Sequence, residues 1–206
     1  MSIMKIKDYY KNVPQGESEH AFRYKNIFAK VIKDAGISKK ILDVGAGDGI
    51  LASELAKNNT VVCAEINKTR IKRLKEKGLR VIDQDIEEKW KAKDNSFDTV
   101  IMTEVLEHCF ATSHILHESY RVLKKGGRVI ITTPNITSIG HRMQILLGRE
   151  PSYYSHTSFE HIRIFTPQSL KIMMKKSGFR YMKIKTIVGL PVRNFGEIIY
   201  AIGEKA

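Results

Sequence analysis

Along this chain the apolar residues switch repeatedly between helical spacing and short continuous runs, and that alternation predicts the fold. From Ser18, residues Ala21, Phe22, Tyr24, Ile27, Phe28, Val31 and Ile32 recur at helical spacing until Gly36 ends the pattern. A strand follows at 40–45, then a helix with Leu51, Ala52, Leu55 and Ala56 on one face, then a strand at Thr60–Glu65. Asn67 is placed to cap a helix that runs to Gly78, with Ile71 and Leu74 inward and its basic residues outward. Leu79–Asp83 and Phe97–Met102 read as strands three and four, and Trp90 between them is expected to pack at the sheet edge. A helix over 111–123, a turn at Lys124–Gly127 and a fifth strand at Arg128–Thr133 complete the rhythm, and Pro134 stops it. Strands that alternate with helices imply a doubly wound α/β sheet, mostly parallel, with helices on both faces.

The remainder departs from that rhythm. Residues 135–165 contain one helical stretch around Ile139–Leu147, then Gly148, Pro151, the pair Tyr153 and Tyr154, and three histidines, and read as a lid or substrate insertion. Tyr153 and Tyr154 could stack on an aromatic acceptor or pack the lid down. Thr166-Pro167 opens a helix that ends at Gly178, and 179–188 and 196–203 read as two closing strands. The 206 residues are expected to form one domain: an arm and helix at 1–37, a core at 38–134, the insertion at 135–165 and a closing unit at 166–206.

The chemistry gathers first at Ile41-Leu42-Asp43-Val44-Gly45-Ala46-Gly47-Asp48-Gly49, a strand that turns sharply into a helix. Glycines there let a ligand approach the backbone, and the N–H groups of the following helix would face the same crevice. The dinucleotide fingerprint requires its third glycine where Ile50 stands, so a nicotinamide fits poorly. An acid at the end of strand two, Glu65, suits two ribose hydroxyls, and Asp85 after strand three suits an adenine amino group. The plainer alternatives are a strand-end acid at Glu65 and a turn cap at Asp85.

These residues, with Ile86, Phe97-Asp98-Thr99-Val100, Leu106-Glu107-His108 and Leu123-Lys124-Lys125-Gly126-Gly127, resemble the class I S-adenosylmethionine-dependent methyltransferases of the type 11/23-like kind. The resemblance covers about residues 38–134. It implies a Rossmann-like seven-stranded sheet whose last strand runs antiparallel. It also implies S-adenosylmethionine as cofactor and S-adenosylhomocysteine as product. Asp43, Gly45, Ala46 and Gly47 would hold the methionine end, Glu65 and Ile66 the ribose, Asp85 and Ile86 the adenine, with Thr103 at the same crevice.

Beyond strand four stands Glu104-Val105-Leu106-Glu107-His108. If a helical turn begins there, Glu104, Glu107 and His108 share a face and could hold a divalent metal such as Mg, with His156 or His161 as a further ligand. The Glu-x-x-Glu-His order looks like that of ubiquinone-biosynthesis O-methyltransferases and of metal-dependent small-RNA 2′-O-methyltransferases, whose later histidine His161 would match. The candidate catalytic residues are thus Glu107, His108 and His161, and the candidate metal ligands Glu104, Glu107, His108 and His161. Many methyltransferases of this fold carry Leu-Glu-His at this place, so the metal is one of two readings. Without it, His108 would position the acceptor or act as a base, and His161 would serve packing. A methyl already activated on a sulfonium needs mainly in-line placement of the acceptor.

Charge bears on the acceptor. Thirty-five Lys+Arg against 22 Asp+Glu give +13 at pH 7, which favours anionic partners and leaves nucleic acid open. The basic residues are not interleaved with stacking aromatics, so a small-molecule hydroxyl is the leading acceptor, RNA the second. A cofactor-binding regulatory protein without methyl transfer is the third reading. Cys63 and Cys109 suit a reducing interior, and without a signal peptide or an apolar span the chain is expected in the cytoplasm. Arg23 and Tyr24 could approach the cofactor's carboxylate, or serve a surface salt bridge and the core.

Overall fold

The computed structural model describes residues 20–151, 161–188 and 195–206, with side chains from residue 26 onward. The arm at 1–16, the side chains of Arg23 and Tyr24, and Tyr153, Tyr154 and His156 lie outside the described residues. Seven strands form one sheet: β1 (Lys40–Val44), β2 (Thr60–Glu65), β3 (Arg80–Asp83), β4 (Phe97–Thr103), β5 (Leu123–Pro134), β6 (Arg180–Ile187) and β7 (Ile198–Glu204). Their order is β3-β2-β1-β4-β5-β7-β6, and β7 runs antiparallel to both neighbours while β1 to β5 are mutually parallel. This is the Rossmann-like arrangement with an antiparallel last strand expected from the resemblance.

The helices are α1 (His20–Ala35), α2 (Ile50–Ala56), α3 (Lys68–Glu76), α4 (Thr112–Val122), α5 (Ile139–Leu146) and α6 (Pro167–Lys176). Strand alternation sorts the core into two layers. Ile41, Ile101, Ile130, Ile198 and Tyr200 point towards α1, α2 and α3, where Ile27, Val31, Leu51, Leu55 and Leu74 meet them. Leu42, Val44, Val100, Met102, Val129 and Ile131 point the other way, onto Ile115 and Leu116 of α4 and Leu170 and Met174 of α6. Asn67 caps α3 by accepting from the N–H groups of Thr69 and Arg70, at 3.0 and 3.1 Å. Thr166 and Ser169 form a capping box at the start of α6, with Pro167 in its first turn. Trp90 is buried, and its indole N–H donates to the Ile86 carbonyl at 2.8 Å.

Two local features differ from the expectation. Lys124–Gly127 is a distortion inside β5: Leu123 pairs with Phe97, and the register resumes only at Arg128 opposite Thr99. The irregular stretch is held because Gly126 N–H donates to the Lys205 carbonyl and Lys205 N–H to that of Gly127, each at 2.8 Å. The turn after β4 is a single 3₁₀ turn, Leu106–His108, which leaves Glu104 outside it in the left-handed region at φ 52°. Glu104 therefore does not share a helical face with Glu107 and His108. Its N–H instead donates to the Thr132 carbonyl at 3.0 Å, as part of the β4–β5 ladder's end.

Candidate active site

The turn after β1 packs tightly on one side and opens on the other. A Cβ at Gly49 would run into Leu74 and Leu79, and φ there is 74°, so this glycine lets α2 sit against α3. Gly47, at φ 58°, has no atom within 4 Å of its missing Cβ and faces open space. Glu65, buried at the end of β2, reaches across: one carboxylate oxygen accepts from Gly47 N–H at 3.0 Å, the other from Ile66 and Asn67 N–H at 2.9 Å. A carboxylate offers about four acceptor positions, so three amides leave room for a hydroxyl. Ala46 follows the same bend, its N–H 3.4 Å from the Ala64 carbonyl.

Asp43 is the group this crevice leaves unbalanced. It is 1% exposed, and its Oδ1 is buried without a hydrogen-bond partner. Burial, then the nearby Glu65 carboxylate, pushes its pKa up to about 7. A cationic ligand group beside Oδ1 would satisfy it, so the residues fit the amino-acid end of S-adenosylmethionine. Asp85 caps its own turn, Oδ1 accepting from Glu87 N–H at 2.9 Å, and stands beside Ile86 at the β3 end of the crevice. Thr103 ends β4 opposite Thr132.

The other side of the crevice is built by β4, β5 and the stretch that begins at His161. Glu107 is fully buried; its Oε2 accepts from the Thr133 hydroxyl at 2.9 Å, while Oε1 has no donor and lies 4.0 Å from His108 Nε2. Burial, then the Glu104 carboxylate, raises the Glu107 pKa well above the usual carboxylate range. Glu104 Oε1 accepts from the Thr132 hydroxyl at 2.7 Å. The Glu107 carbonyl receives N–H bonds from Ile162 and Arg163, at 2.9 and 3.0 Å, and these tie the insertion's return to the 3₁₀ turn. His161 is thereby brought edge-on to His108, with ring centroids 4.7 Å apart. One ligand atom from each of Glu107, His108 and His161 falls within 4.8 Å of the others, a grouping that does not include Glu104.

Three contributors were not singled out in the sequence. Thr132 and Thr133 fix the two glutamates, and the signal was present as polar residues ending an otherwise apolar strand. Asn135 anchors the insertion: its side chain donates to the Gly196 carbonyl at 2.8 Å, and its own carbonyl is 2.8 Å from His141 Nδ1. Nothing local marks that role, because its partners lie on β7's approach and on α5.

A methyltransferase-domain family model matches residues 19–184. The chain belongs to this family of methyltransferases. Among curated proteins the chain is 25% identical over 166 residues to the human mitochondrial ubiquinone biosynthesis O-methyltransferase, covering 75% of the chain and 44% of that protein. It is 29% identical over 162 residues to the Nitrosococcus oceani ubiquinone biosynthesis O-methyltransferase, covering 74% and 66%. The chain thus spans about half to two thirds of these relatives' length. Two solved S-adenosylmethionine-dependent methyltransferases share the fold. The Thermotoga maritima protein aligns at TM-score 0.71 and 21% identity over 90% of this chain and 94% of its own. The Archaeoglobus fulgidus protein aligns at 0.68 and 21% over 91% and 97%. The family and the fold are those of the class I S-adenosylmethionine-dependent methyltransferases. Among the described residues, no helix is long and apolar enough to cross a membrane.

Proposed function

We propose that this methyltransferase transfers the methyl of S-adenosylmethionine to a hydroxyl of a small, phenol-like acceptor. The observation that carries the reading is the buried Glu107, whose Oε1 lacks a donor, grouped with His108 and His161 beyond the carboxyl end of β4. A hydroxyl is a weak nucleophile until its proton is taken up, unlike an amine, and this cluster supplies a proton acceptor where a sulfonium methyl would point. His108, with its side chain 23% exposed, is reachable from the crevice, and the buried Glu107 carboxyl stands 4.0 Å behind its Nε2. Glu107 is itself oriented by Thr133, and His161 by the bonds that pin Ile162 and Arg163. The O-methyltransferase names of the curated relatives support the same acceptor class.

The same donors, one carboxylate oxygen and two imidazoles, suit a divalent first-row metal, with Glu107, His108 and His161 as the ligands and Glu104 beyond them. Such an ion supplies a Lewis acid that lowers the pKa of an acceptor hydroxyl. The decisive experiment is a transfer assay with methyl-labelled donor against catechols, simple phenols, sugars and short RNA, with and without chelator. Transfer to a catechol or phenol is expected, reduced at least roughly 100-fold in Glu107→Gln and restored after chelation by added divalent metal. Transfer to RNA alone, or none to any hydroxyl while S-adenosylhomocysteine still raises the melting temperature, would overturn the acceptor. Indifference to chelator would remove the metal and leave His108 as the base.

A further inference from the structure

At the other end of the sheet from the glycine turn lies a cavity of about 320 Å³ that methyl transfer does not use. It opens where β1, β3 and β4 begin: Lys40, Arg80 and Phe97 are the first residues of those strands. The cofactor crevice lies beyond the opposite, carboxyl ends of the same strands. The cavity exists because of an unusual crossover. Parallel strands are commonly joined through a helix that covers the sheet, whereas residues 84–96 join β3 to β4 without one. This segment reaches the sheet through Trp90 and Ala92, and leaves space in front of Val62 and Ile82.

The walls have two chemistries. Val62, Ile82, Ala92 and Phe97 make an apolar floor, and every titratable residue around it is basic: Lys40, Arg80 and Lys93, all exposed. Carboxylates close by in sequence already have partners, Asp94 with Arg121 and Asp98, at the Lys40 edge, with Lys124 and the Lys40 N–H. The Lys40 ammonium stands 5.0 Å from the Phe97 ring centroid, and among the described residues no carboxylate pairs with Arg80 or Lys93. Three cations around an apolar floor give the opening a positive rim that attracts an anion, and a volume near the lower end of ligand pockets, about 300–1,000 Å³, admits a small molecule rather than a polymer.

The geometry points to a second binding site, for a small amphipathic carboxylate whose apolar body lies on Val62, Ile82 and Phe97 and whose charge is held among Lys40, Arg80 and Lys93. The site is independent of the acceptor chemistry proposed above. Its test is calorimetric titration of the whole chain with octanoate, octanol and acetate, with Trp90 fluorescence as a second readout. Octanoate is expected to saturate one site at least tenfold more tightly than octanol, because octanol lacks the charge, and acetate to give no measurable binding. The double variant Arg80→Glu/Lys93→Glu, at two exposed positions, is expected to lose that tenfold advantage while its melting temperature and S-adenosylhomocysteine affinity stay those of the parent. Saturating S-adenosylhomocysteine is expected to leave octanoate binding unchanged. Equal affinity for octanoate and octanol, unaltered octanoate binding by the double variant, or no saturation at millimolar octanoate would overturn the site. Displacement by S-adenosylhomocysteine would overturn it as well, since the carboxylate would then occupy the cofactor crevice. A loss of S-adenosylhomocysteine binding in the parent would instead count against the cofactor site, and the octanoate comparison would still decide this one.

Discussion

At the scale of single residues, Asp43 ties the stability of the fold to pH. Its pKa is about 7 in the folded chain against an ordinary 3.8, so between those values the folded state holds a proton that the unfolded state has released. Stability from this group is therefore fully present below about pH 4 and declines as pH rises towards 7. Asp43→Asn removes the penalty, and the unliganded variant should be more stable than the parent at pH 8 by on the order of 1–4 kcal/mol, with the difference fading towards pH 4. The same change should weaken S-adenosylhomocysteine at least tenfold, because a neutral amide cannot balance an ammonium. Thermal melts at pH 4, 6 and 8, with and without that ligand, read both effects. Parallel melting curves for parent and variant across this range would contradict the assignment. Glu107 illustrates a related point: its role follows from burial and from Thr133, neither of which its sequence neighbours announce.

At the scale of elements, the helix-free crossover between β3 and β4 depends on one side chain of α4. Arg121 makes two bonds to Glu118, at 2.8 and 2.7 Å, donates to the carbonyls of Ala92 and Trp90, and pairs with Asp94. Glu118 in turn accepts from Trp90 N–H at 2.7 Å. Arg121→Ala leaves a largely buried Glu118 with one donor fewer on each oxygen and unties residues 90–94. A loss of about 2–3 kcal/mol is expected. Arg121→Lys should recover less than half, because an ammonium cannot reproduce the planar fork. Urea unfolding followed by Trp90 emission measures both, and the alanine variant should show red-shifted native emission. The capped helices needed no such tertiary clamp to be foreseen: Asn67 before α3 and Thr166-Pro167 before α6 state their positions in local residue chemistry.

At the scale of the whole molecule, +13 net charge predicts attraction to polyanions without specificity. A labelled single-stranded RNA should bind weakly, bind equally well when its sequence is scrambled, and lose roughly tenfold or more in affinity between 50 and 200 mM salt. Binding that distinguished sequences and survived 200 mM salt would shift the acceptor reading towards RNA. The fold itself was largely legible, since seven strands and their connecting helices follow from periodicity, and one buried face on each side of the sheet enforces the alternation seen in Val100, Ile101 and Met102.

The sequence by itself determined the strands, the capped helices and the place of the glycine turn, because hydrophobic period, glycine and cap residues act over a few neighbouring positions. Tertiary structure decided three geometries. Glu104 adopts a left-handed backbone outside the 3₁₀ turn because β5 captures its N–H; His161, which the resemblance had matched to this site, reaches His108 because two amides far along the chain bind the Glu107 carbonyl. Lys40 and Arg80 gather at one cavity because parallel strands bring their first residues to a common edge, and the helix-free crossover brings Lys93 to them. Each depends on partners distant in sequence, and no local pattern encodes them.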